Sequence, residues 1–161
     1  MIFEELINHI KSNIGEDFIE GLDEQCSPKA VVVSAEKLLR LMGFLHADKE
    51  CYFDSLSCIT GLDNGVEKAS MEVIYNLYSI PYNHHLTVKV NLGRAKPEID
   101  SVTSVWKAAD WHEREAYDLL GIHFEGHPDL RRILLPADWE GHPLRKDYKH
   151  QEYYRGIKVE Y

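Results

Sequence analysis

Hydrophobic periodicity in this sequence runs to Leu120 and then stops, and that boundary constrains the fold more than any other feature. From Ser101 to Leu120 there is neither Gly nor Pro, and Gly121 follows. At 100° per residue, Val102, Val105, Trp106, Ala109, Ala116, Tyr117 and Leu120 fall within an arc of roughly 120°, which predicts an amphipathic helix over 101–120, with room for a bend near Ala108-Ala109-Asp110 that no residue marks. The residues beyond mix aromatics, charges and the repeated triplets Gly126-His127-Pro128 and Gly141-His142-Pro143. A structureless run of that length is unusual inside a compact domain. Trp and Tyr at this density do not suit a disordered tail either. An extended arm packed on another surface meets both conditions. The sequence therefore divides into a body over residues 1–121 and an extended C-terminal arm over 122–161 that docks on a partner.

The body has a legible order. Ile2, Phe3, Leu6, Ile7, Ile10 and Ile14 recur at helical spacing before Gly15. Ala30 to Val33 is a short β-branched run, and Ser34 is placed to cap a helix reaching about His46, with Leu38, Leu41, Met42 and Leu45 inward. Strands are expected over 53–62, then across Met71, Val73, Tyr75 and Leu77, then across Leu86, Val88, Val90 and Leu92. Asp63-Asn64-Gly65 and Pro81 to Asn83 mark the turns between them. Short connections impose antiparallel pairing. The expected fold class is α+β, a two-layer domain with a mixed, largely antiparallel sheet covered by helices.

With 161 residues, 44% apolar and 11% aromatic, the chain can bury a full core. The formal charge of −9 argues against a nucleic-acid module with a broad basic face. Residues 1–111 hold 10 basic and 17 acidic side chains, whereas 127–149 hold five basic and four acidic. That asymmetry fits either a tail made to meet something or ordinary surface scatter. No run is long and apolar enough for a membrane span, and the N-terminus does not read as a signal peptide. Cys26, Cys51 and Cys58 are expected to be reduced thiols, and three are too few for a self-contained iron–sulfur cluster.

Glu113 sits in the middle of the apolar arc, where a carboxylate is costly unless a cation or several donors meet it. A pairing with an arm arginine is the expected resolution, and a catalytic acid is the other. Arg114, with Asp110 and Asp118 four residues to either side, reads as an ordinary salt-bridge ladder. His112-Glu113 lacks the second His of a zinc-protease motif, because position 116 is Ala. His123, Glu125, His127 and His142 are the candidate metal ligands, although Gly-His-Pro is also turn chemistry. Dinucleotide, P-loop and nucleophilic-serine signatures are absent.

The run Trp111-His112-Glu113-Arg114-Glu115-Ala116-Tyr117-Asp118-Leu119-Leu120-Gly121-Ile122 resembles the signature of the thirty-kilodalton-type subunit of respiratory complex I. Its continuations Phe124-Glu125-Gly126-His127-Pro128-Asp129-Leu130-Arg131-Arg132-Ile133-Leu134 and Asp138-Trp139-Glu140-Gly141-His142-Pro143-Leu144-Arg145-Lys146-Asp147-Tyr148 fit it too. Two positions depart from the family: many relatives have Pro where Lys107 stands, and Pro after Lys-Asp-Tyr where this chain has Lys149.

The resemblance implies a non-catalytic structural and assembly subunit of the peripheral arm of NADH:quinone oxidoreductase. The complex couples electron transfer from NADH to quinone to proton translocation. No catalytic, cofactor-binding or metal residue is implied in this chain, and FMN and iron–sulfur clusters are expected in other subunits. The body would lie beside the iron–sulfur subunits and the arm across the quinone-site subunit, without nucleic acid or direct membrane insertion. The location implied is peripheral, on the cytoplasmic side of the cell inner membrane. Glu113 and Arg114 carry over as structural and interface residues. Trp111, Asp118, His127, Arg131, Arg132, Trp139, His142, Arg145, Lys146 and Tyr148 carry over as partner-binding or structural positions. The equivalent subunit of a membrane-bound hydrogenase-related or photosynthetic NDH complex is the alternative of the same class. A free-standing His/Glu metal hydrolase is the alternative of another.

Overall fold

The computed structural model describes residues 1–159; Glu160 and Tyr161, the end of the expected arm, lie outside the described residues. Helix α1 (Phe3–Ile14) buries Leu6, Ile7 and Ile10, and Glu5 reaches back to accept the Ile2 amide at 3.0 Å. A 3-10 turn (Glu16–Phe18) leads into β1 (Gly21–Asp23) and β2 (Ala30–Val33). Helix α2 (Ala35–Ala47) turns Leu38, Leu41, Met42 and Leu45 inward, as its spacing predicts. Ser34 holds the N-cap position, but its side chain makes no capping bond. Three long strands follow: β3 (Ser55–Asp63), β4 (Ser70–Ser79) and β5 (His84–Gly93).

The sheet order is β1-β2-β5-β4-β3. β2 runs parallel to β5 and every other pair in this sheet is antiparallel, which gives the expected mixed, largely antiparallel sheet. Burial alternates along β4, with Met71, Val73, Tyr75 and Leu77 on the core face beside Leu86, Val88, Val90 and Leu92 of β5. The helices join these residues in one hydrophobic core. The opposite face carries polar pairs instead: Thr87 donates to Asn76, and Lys89 is bonded to Asp23.

The helix predicted over 101–120 begins only at Ala109, as α3 (Ala109–Leu120). Residues before it form turns in which the amides of Val105 and Trp106 both donate to the Val102 carbonyl. Those turns bury Val102 and Trp106, so a helical period appears where no continuous helix exists. Trp106 Nε1 then donates to the Phe53 carbonyl at 3.1 Å, fixing the segment to the body. The chain thus breaks just after Lys107, the position where many proteins of the resembled family carry Pro, and α3 starts two residues later.

After α3, β7 (His123–Glu125) pairs in parallel with β6 (Glu98–Asp100). Ile122 and Phe124 are buried in the core, so core packing runs past Gly121. α3 lies against β3 because Gly61 has no side chain: a Cβ there would stand 2.5 Å from Leu120 Cδ1. From Gly126 to Glu152 the chain has no helix or strand, and a small hairpin, β8 (Tyr153–Tyr154) and β9 (Ile157–Lys158), follows.

Candidate functional site

A helix ends with carbonyls that have no partner within the helix. In α3 they are satisfied by the arm. Arg132 and His142 Nδ1 donate to the Asp118 carbonyl, the Leu144 amide to the Leu119 carbonyl at 3.0 Å, and Arg145 to the Leu120 carbonyl at 2.6 Å. Two guanidinium groups therefore meet the negative end of the helix dipole. Burial, with Arg132 and Arg145 nearby, holds His142 below the ordinary imidazole value. Gly121 makes the approach feasible: its φ is +74°, and a Cβ would lie 2.6 Å from the His142 ring. Gly121→Ala is expected to lower stability by at least about 1 kcal/mol through strain and displacement of His142, measured as a shift in the urea midpoint.

Asp118 organises the same junction from its side chain. Fully buried, it accepts Arg132 at 2.8 Å on one oxygen, and the amides of Ile133, Leu134 and Leu135 at 2.7–3.0 Å on the other. Burial alone would raise its pKa. The Leu135 amide, Arg132 and the neighbouring amides outweigh that and hold it below the usual carboxylate value. Arg132 also donates to the carbonyls of Trp139 and Gly141, so one planar fork binds α3 and two turns of arm. Trp139 Nε1 donates to the Tyr148 hydroxyl at 3.1 Å.

The second anchor is one that sequence reasoning missed. Asp63, at the end of β3, accepts Arg94 Nε at 2.8 Å, Arg94 Nη2 at 3.0 Å and the Lys146 amide at 2.9 Å. Arg94 also bonds Asp147 of the arm. The Arg94 guanidinium holds the Asp63 carboxyl well below the usual carboxylate range. Asp63 reads in sequence only as part of a turn signal, and Arg94 carries no motif.

Several expectations change. Glu113 does not pair with an arm arginine. Its carboxylate accepts the Ser101 hydroxyl at 2.6 Å and the Val102 amide at 2.7 Å, so it fastens the turns that precede α3. Burial pushes its pKa up to about 7 against the opposing pull of those two donors. His127 Nε2 stands 4.0 Å away and donates to the Asp110 carbonyl, while its Nδ1 accepts the Asp129 amide. Arg114 makes no ladder with Asp110 and Asp118; it donates to the carbonyls of Arg131 and Arg132 and lies over the Trp111 ring. Arg131 pairs with Asp129 on the surface, and Lys146 contributes its backbone amide to the anchor.

The candidate metal ligands are not gathered. His123 and Glu125 pair with each other on the surface, whereas His127 and His142 bond separate carbonyls of α3. Among the described residues they form no metal-sized group. Among the charged residues that α3 and the arm turn outward stand three large apolar ones: Trp111 is 66% exposed, Leu134 62% and Leu144 59%. The arrangement holds a surface in a fixed shape.

The same architecture recurs in known proteins. The family described as respiratory-chain NADH dehydrogenase, 30 Kd subunit, matches residues 31–154. The C subunit of the NADH-quinone oxidoreductase of Chloroherpeton thalassium is 46% identical over 94% of this chain, which spans 63% of that relative's length. The protein of the same name from Chlorobium phaeobacteroides is 42% identical over 99% of this chain and 89% of its own. Among solved structures, a trypsin-resistant fragment of Nqo5 is 27% identical, covers 81% of this chain and all of the fragment, and superposes with a TM-score of 0.59. A chain of an archaeal membrane-bound sulfane sulfur reductase is 25% identical, covers 91% of this chain and 85% of its own, and superposes with a TM-score of 0.73. The motif run on α3 and its arm therefore sits in the fold to which it belongs, and the chain is a member of the respiratory-chain NADH dehydrogenase 30 Kd subunit family.

Proposed function

We propose that this chain is a non-catalytic structural subunit of the peripheral arm of a complex I-type NADH:quinone oxidoreductase. The carrying observation is the junction itself. Side chains of the type that do chemistry elsewhere, Arg132, Arg145, His142, Asp118 and Glu113, are all spent on carbonyls, amides and one another. The surface beside the junction exposes Trp111, Leu134 and Leu144, apolar side chains suited to bury against another subunit. In this reading the body stands beside iron–sulfur subunits, and the arm, over 122–161, lies on the quinone-site subunit. Electron transfer and the coupled proton translocation belong to the complex, with FMN and iron–sulfur clusters held by other subunits. No helix among the described residues is long and apolar enough to cross a membrane. Attachment at the cytoplasmic side of the inner membrane would then run through partners.

The similarity to a sulfane sulfur reductase chain favours one second reading, the equivalent subunit of a related respiratory complex with a different electron donor. Affinity purification of the tagged chain from its native membranes, followed by mass spectrometry, separates the two. A flavin-bearing NADH-oxidising module among cluster-bearing subunits is the expected result. A nickel-bearing large subunit, or another donor module in its place, would move the assignment to a relative. A clean monomer would remove both.

A further inference from the structure

We infer that His9, Asp48 and Cys51 form a binding site for one divalent transition-metal ion of the zinc class, where α1 meets the C-terminal end of α2. His9 Nε2 and Asp48 Oδ1 are 3.0 Å apart, and one donor atom from each of the three residues lies within 4.8 Å of the others. Donors sharing one tetrahedral ion stand about 3–4 Å apart; Asp48 Oδ1 also accepts the Glu50 and Cys51 amides at 3.0 and 2.9 Å, which hold it in place, and a small closure with exchange of its His9 bond for the ion completes the set. The mix of one sulfur, one imidazole nitrogen and one carboxylate oxygen suits zinc or cobalt rather than magnesium or calcium.

Two further features point the same way. A ligating histidine normally turns its other ring nitrogen toward a carboxylate, and His9 Nδ1 faces Glu50 Oε2 at 3.5 Å. Asp48 is the C-cap of α2, at the negative end of that helix dipole, which favours a cation.

Burial and the Asp48 charge push the metal-free Cys51 thiol up to about 12, so the ion itself must displace the thiol proton. Binding replaces the Cys51 S–H bond by a sulfur–metal bond and releases that proton to solvent, while the ion takes the place of the His9 Nε2 proton that Asp48 accepts in the metal-free chain and the ring passes to the Nδ1–H tautomer facing Glu50; nothing is oxidised or reduced. The ion would be structural, tying α1 to the loop after α2. It departs from the expectation of a metal-free chain, yet leaves the electron-transfer cofactors with other subunits.

The test is a titration of the full, reduced, metal-stripped chain with Co²⁺, followed by Zn²⁺. One Co²⁺ per chain is expected, with a thiolate-to-cobalt absorption in the near ultraviolet that Zn²⁺ abolishes. Cys51→Ala and His9→Gln should remove the absorption, whereas Cys26→Ala and Cys58→Ala should retain it. His9 is on the partly exposed side of α1, so H9Q keeps the test informative should the core variant C51A unfold. No thiolate absorption in the unaltered chain overturns the site, as does absorption that survives H9Q.

Discussion

Replacing Asp118 with Ala is expected to cost about 3–5 kcal/mol, the loss typical of breaking a buried ion pair from one side. The substitution strips the charge partner from Arg132 and the acceptor from three consecutive backbone amides. The same guanidinium holds the carbonyls of Trp139 and Gly141, so the loss should spread along the arm. Hydrogen exchange should rise through residues 131–148 and remain low in β4 and β5. Asp118→Asn, which keeps the shape and one acceptor, should lie between. Urea melts of both variants, read with peptide-level exchange, check this. Unchanged arm protection in D118A would mean that the anchor at Asp63 and Arg94 suffices alone.

Glu113 should give the largest pH effect. Its folded pKa of about 7 lies above the ordinary value of 4.5, so the folded state binds the proton more tightly than the unfolded state does. The associated stability is fully present below pH 4.5 and is lost as pH rises through 7. The shift corresponds to about 3 kcal/mol. Glu113→Gln cannot ionise, so the stability difference between wild type and E113Q should move by about 3 kcal/mol in favour of E113Q from pH 4.5 to 8. Burial holds His84 and His142 low, and they act in the opposite direction in both proteins; they cancel in the difference. Parallel pH profiles would show that folding leaves the Glu113 pKa unshifted.

The parts of the fold legible in sequence are those where one local period meets one buried face. The sequence of β5 alternates cleanly from Leu86 to Leu92, and that of β4 alternates apart from Ile74 and Tyr78, because one side of the sheet holds the core; α2 shows its inward stripe for the same reason. β1, β6 and β7 span three residues each, too short for a period; partners elsewhere in the chain define them. The false extension of α3 back to 101 arose because turns spaced like a helix buried Val102 and Trp106.

At the site, residue types were legible and partners were not. A segment rich in Arg, His and aromatics was legible after Gly121, but spacing does not show which of its polar groups turn to α3. Asp118 looked like the partner of Arg114 at i+4. An exposed pair of that kind contributes only a few tenths of a kcal/mol. A buried carboxylate that collects Arg132 and three amides outweighs it several-fold.

The central position of β5 also dictates an order of events during synthesis. β2 and β4 both leave the ribosome before the strand that joins them, because β5 is the last strand of the five-stranded sheet in chain order. Until Gly93 has emerged, the nascent chain holds two sheet fragments with open edges and no shared core. Unpaired edges are where chains associate wrongly. The moment of greatest exposure to aggregation therefore falls between the emergence of β4 and that of β5, well before the arm exists to seal α3.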